Sequence, residues 1–118
     1  MEKKIQFVAD LNHDELLLEI YKEISPEGFH IDQRDEIEKK NIARDWVGDF
    51  IESVKKPLCK NEKLRELIEK KEATKYELIA AISDFLAMFT VGVSPFLLAA
   101  FIVKSGIPKI CVEYWHPK

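Results

Sequence analysis

Glycine is scarce in this chain, with four residues in 118. That leaves little room for a phosphate-cradling or dinucleotide-binding loop, whose backbone approaches its ligand through several glycines at fixed spacing. The glycine-containing segments SPEGFH, TVGVSP and KSGIPK match neither pattern. Cysteine is scarcer still: Cys59 and Cys111 are the only two, with no CxxC and no Cys/His spacing suited to zinc. Two cysteines do not make a disulfide-dense secreted scaffold, so the expectation is a pair of free thiols in a reduced, cytoplasmic compartment. His13, His30 and His116 are scattered, and none belongs to an HxxxH pair. No cofactor and no metal is implied.

An excess of positive charge is also lacking. Eighteen Lys and Arg face 21 Asp and Glu, for a formal net charge of −3. The signs alternate, as in KKNIARD and EKLREL, which suits solvated helix faces rather than the clustered cations a nucleic acid requires. The N-terminal MEKKIQFVADLNHDELL has neither an apolar run nor a small-residue cleavage site, so the chain is expected to be unprocessed.

What the chain has is one hydrophobic stretch, Leu78–Val103, in which 20 of 26 residues are apolar and Asp84 is the only charge. Thr74 and Glu77 form a capping box that starts a helix at Lys75. Gly92 then disfavours continuation, and Ser94-Pro95 supplies an N-cap and the residue best suited to the first helical position. The expectation is therefore a central hydrophobic hairpin, about Lys75–Thr90 and Pro95–Lys104, ended by Ser105-Gly106.

Other helices follow from the same reasoning. Asn12 and Glu15 form a capping box for a helix over His13–Ile24, ended by Ser25-Pro26-Glu27-Gly28. Phe29–Asp32 reads as a connector. Ala43, Trp46, Val47, Phe50, Ile51 and Val54 make one apolar stripe on a helix from about Gln33 to Lys56, closed by Pro57. Asn61 caps a short surface helix over Glu62–Lys71. The segment ICVEYW reads as helix or strand, with helix favoured because Ile107, Ile110, Cys111, Tyr114 and Trp115 then share a face. Residues 1–11 read as an extended arm or a short strand, since Ile5, Phe7 and Val8 fit no single period. With no repeat and no linker, the chain reads as one all-α domain, an irregular bundle of five or six helices around the central hairpin.

Phe85–Val103 is 19 consecutive uncharged residues, nominally enough to cross a bilayer as one helix. The break at Thr90–Pro95 leaves two pieces too short to span, while the amphipathic helices need an apolar partner that the hairpin provides. The core reading comes first, and a membrane-inserting hairpin is the alternative.

Candidate sites are few. Asp84, if buried, would have its carboxyl pushed toward a catalytic range, but no His or second carboxylate lies within a turn of it. Glu38, Asp45, Asp49 and Glu52 fall on one side of the second long helix, opposite the Trp46/Phe50 stripe, and suit a basic partner surface; an ordinary solvated face is the commoner role. Cys111 and His116 lack the third group and the oxyanion loop of a nucleophile dyad. Tyr114 and Trp115 offer contact aromatics if they are exposed.

The resulting expectation is a non-catalytic protein–protein interaction domain: an adaptor, an inhibitor or immunity-type partner, or a self-associating subunit such as a homodimer. Its partner-binding residues would be Glu38, Asp45, Asp49, Glu52, Tyr114 and Trp115. A membrane-inserting protein using Leu78–Val103 is the alternative, and a small enzyme using Asp84 a weaker one. What covers the outer side of Phe96, Leu97 and Phe101 decides between a monomer and an assembly.

Overall fold

Two reciprocal caps punctuate the chain. The Asn12 side chain accepts from the Glu15 amide at 2.8 Å, and the Glu15 carboxylate accepts from the Asn12 amide at 2.9 Å. Thr74 and Glu77 repeat the arrangement at 3.1 and 3.4 Å. Each cap satisfies amides that a helix start leaves without partners. The computed structural model describes residues 2–25, 35–70, 73–89 and 92–115. Among them are eight helices and no strand: α1 Glu2–Ala9, α2 His13–Ile24, α3 Glu36–Cys59, α4 Glu62–Glu69, α5 Lys75–Leu86, α6 Pro95–Ser105, α7 Ile107–Ile110 and α8 Val112–Trp115.

The protein is an all-α bundle with α5 and α6 paired at its centre. α6 is apolar on nearly every side, and α1, α2 and α5 all pack against it. Leu97, Leu98, Ala99, Ala100 and Ile102 are buried as a result. The small Ala99 and Ala100 side chains let neighbouring helices approach closely, while Leu16, Ile20, Ile82 and Leu86 fill the space between them with no measurable exposure. Burying side chains of this size contributes about 1.5–3 kcal/mol apiece. The outer side of α6 is thus covered largely from within the chain: Leu97 is buried, and the half-buried Phe101 stacks on the His13 ring with centroids 4.9 Å apart.

Several boundaries differ from the sequence expectation. The arm or strand expected over residues 1–11 is helical from Glu2 to Ala9. Its buried face is Val8 and Ala9, with Ile5 packed beside them, while Phe7 points outward and so obscures the helical period. Pro57 does not close α3, which runs one more turn to Cys59. Proline removes the amide that would have bonded the Ser53 carbonyl and crowds that carbonyl, but burial of Leu58 and Cys59 holds the turn in place. α5 stops at Leu86, four residues short of the expected Thr90, and its end tightens through Phe89 N–H donating to the Leu86 carbonyl at 2.8 Å. Ser94 stands at the N-cap of α6 as expected but makes no side-chain capping bond; its amide instead donates to the Glu23 carboxylate at 2.8 Å. The C-terminal ICVEYW is helical, as two short turns rather than one helix. The expected connector Phe29–Asp32, with His30, and the tail residue His116 lie outside the described residues.

Candidate functional site

The chemistry of the C-terminal corner starts at the end of α3. A helix leaves its last four carbonyls without amide partners, and a buried one must find a donor elsewhere. The Cys59 carbonyl finds it in the indole Nε1–H of Trp115, at 2.8 Å in a buried position. The same residue is bonded through its sulfur to Cys111, with Cα atoms 5.4 Å apart. The two cysteines expected as free thiols are therefore a disulfide, and among the described residues no free cysteine remains. This also removes the Cys111/His116 dyad, because a sulfur in a disulfide is not a nucleophilic thiolate. The Arg65 guanidinium lies 5.4 Å from the Trp115 ring centroid and bonds the Glu69 carboxylate at 2.8 Å. An open groove of about 330 Å³ runs over this corner, bordered by Cys59, Lys60, Asn61, Glu62, Arg65, Tyr114 and Trp115.

Of the two aromatics proposed as contact residues, only Tyr114 is exposed; Trp115, at 8% exposure, is an anchor of the corner and not a free surface. No local sequence signal pointed to this, since the carbonyl that satisfies the indole lies 56 residues earlier, at the end of α3.

The acidic residues of α3 lie where the wheel puts them. Glu38, Asp45, Asp49 and Glu52 are all exposed, on the side away from the buried Ala43, Val47 and Val54. From Glu38 to Glu52 they extend over about 21 Å at 1.5 Å per residue, so they form a stripe and cannot converge on one ion. Glu52 shares Lys55 with Glu113 of α8, at 3.8 and 4.0 Å. The Glu38 amide donates to the Asp35 side chain that caps α3, at 2.8 Å.

Asp84 is exposed on the outer side of α5, so the burial that would make it a catalytic acid is lacking. Among the described residues, no three His, Cys, Asp or Glu side chains are placed to hold a metal ion. None of the described helices is long and apolar enough to cross a membrane. Two further clefts open on the surface. One, of about 420 Å³, is bordered by Ile5, Gln6, Tyr76, Glu77 and Ala80. The other, of about 270 Å³, is bordered by Phe7, Val8, Glu19, Glu23, Ser94, Phe96 and Leu97.

Sequence reasoning did not single out the most exposed apolar side chains near the hairpin. Met88 is 74% exposed and Phe89 42% at the end of α5, and Phe7 is 57% exposed on α1. Met88 and Phe89 read as core because the apolar pattern continues past the point where the helix ends.

The fold and these surfaces define a small all-α domain cross-linked once near its C-terminal corner. No family model, no curated protein and no solved structure matches the chain.

Proposed function

We propose that this chain is a non-catalytic helical interaction domain, which works by binding a protein partner or a second copy of itself. The observation that carries the reading is the exposure of Met88 and Phe89 just past the end of α5, beside the buried faces of α5 and α6. Large apolar side chains held in water at one place favour contact with another surface. The α3 stripe of Glu38, Asp45, Asp49 and Glu52, with Tyr114 on the C-terminal corner, is a second surface suited to a basic partner.

The test compares the wild-type chain with a Met88→Ser/Phe89→Ser variant and a Asp45→Lys/Asp49→Lys variant, by light scattering and by affinity purification. Loss of a dimer mass, or loss of a specific retained protein, in either variant supports the reading. Identical mass and identical retained proteins in all three would remove both surfaces.

The same exposed pair favours a membrane-inserting hairpin as the second reading. Flotation with anionic vesicles tests it: co-flotation that the Met88→Ser/Phe89→Ser variant abolishes selects the membrane over a protein partner. The cytoplasmic expectation rested on reduced cysteines. With Cys59 and Cys111 joined, the bond suits either an oxidising compartment or a cytoplasm in which it forms and breaks under control.

A further inference from the structure

We propose that the Cys59–Cys111 disulfide is a redox latch, whose reduction releases α7 and α8 from the end of α3 and leaves the rest of the bundle folded. The released segment is short of structure of its own. α7 and α8 have four residues each, and helices of that length do not stand in water without tertiary support. Their attachments to α3 converge on one residue, since Cys59 carries both the sulfur joined to Cys111 and the carbonyl bonded by Trp115. The other polar ties across this corner are Arg65 over the Trp115 ring and the weak 4.0 Å contact between Lys55 and the exposed Glu113. Burial of Ile107 and Trp115 against the core adds apolar contact, which the cross-link holds in register.

The larger helix pairs of the bundle do not involve this corner. α5 pairs with α6, α2 packs on α3 and α6, and α1 closes against the hairpin, all without α7 or α8. The open groove borders Cys59, but Cys59 is 3% exposed and Cys111 fully buried, so a small dithiol reaches the bond through local opening of α7 and α8. A thiolate of that reductant attacks Cys59 Sγ, the Cys59–Cys111 bond breaks, and Cys111 leaves as a thiolate that takes up a proton. The second thiol of the reductant then resolves the mixed disulfide. It leaves as a disulfide, having passed two electrons and two protons to the protein. With no third cysteine in the chain, the protein pair cannot reshuffle internally and has two states. In the reduced state Trp115 loses its hold on the Cys59 carbonyl and becomes accessible, presenting an aromatic on a mobile segment.

The test uses the full chain, oxidised and then reduced with dithiothreitol in the absence of denaturant. Thiol titration counts the two released cysteines, and amide hydrogen exchange is followed in both states. Reduction is expected under native conditions, with exchange in residues 107–115 accelerated at least about tenfold more than in α2 and α5, which respond only to the loss of global stability. In a Trp46→Phe background, Trp115 emission shifts to the red on reduction and back on reoxidation. A Cys59→Ser/Cys111→Ser variant reproduces the reduced pattern. The proposal is overturned if the bond yields only after the bundle unfolds, if reduction unfolds the whole bundle, or if residues 107–115 keep their protection once both thiols are free. Should the double variant fail to fold because it buries two hydroxyls, the reduced wild-type chain decides the matter alone.

Discussion

The indole Nε1 of Trp115 donates to the carbonyl oxygen of Cys59 across 56 residues of sequence, at 2.8 Å and away from water. One bond thereby satisfies a carbonyl at the end of α3 and fixes the last helical turn of the described chain. Trp115→Phe keeps most of the apolar contact but leaves the carbonyl without a donor, at a cost of about 1–3 kcal/mol. Urea unfolding of the oxidised proteins measures it. A variant with unchanged midpoint would mean that water replaces the indole at no cost.

The disulfide acts on a different term. It closes a loop between residues 52 apart in sequence, and chain-entropy arguments put the stabilisation from such a loop at about 4 kcal/mol. Reduction is expected to lower the unfolding free energy by that order while leaving the native far-UV spectrum largely intact. Paired denaturant titrations with and without reductant give the difference. A loss below about 1 kcal/mol would show that the denatured chain is already restricted in this region.

How much of this was readable in advance varied with the kind of interaction. Both capping boxes and the Ser94-Pro95 start of α6 are local patterns, and they placed those helix starts correctly. The acidic stripe of α3 follows from 100° per residue, as does the exposure of Asp84, which projects away from the face shared by Ile79, Ile82 and Leu86. Legibility fails where the deciding contact is distant. The sequence cannot say that Cys59 meets Cys111, or that Trp115 reaches back to the end of α3, because neither has a local signature. It fails too where an exposed apolar side chain mimics a core one, as with Phe7 in α1 and Met88 and Phe89 beyond α5.

Ser83 offers a substitution expected to stabilise the protein. It is 3% exposed on the inner face of α5, and its hydroxyl has no hydrogen-bond partner among the described residues. A buried hydroxyl without a partner has lost its water and gained nothing. Ser83→Ala removes that oxygen without changing the backbone, and a gain of about 1 kcal/mol is expected. A loss of stability in thermal unfolding would reveal a partner for the hydroxyl in solution.

Two glycines should respond to alanine with opposite signs. Gly48 lies in the middle of α3, exposed, with nothing within 4 Å of the position a Cβ would take. Alanine there reduces the backbone freedom of the unfolded chain and has higher helix propensity, so Gly48→Ala should add about 0.5–1 kcal/mol. Gly106 also has room, its nearest neighbour being the Lys109 Cβ at 3.9 Å, but its φ is +94°. It caps α6 and turns the chain directly into α7, so the backbone has no freedom to relax toward a conformation that alanine prefers. Gly106→Ala should therefore cost roughly 1–3 kcal/mol through backbone strain alone. Because Gly106 sets the direction in which α7 leaves α6, the loss should be accompanied by faster exchange in α7 and α8, which an equal destabilisation elsewhere in the bundle would not produce. Thermal unfolding of the two variants, read beside hydrogen exchange over residues 107–115, separates the sign difference from the local effect; equal shifts in the two variants would defeat the argument.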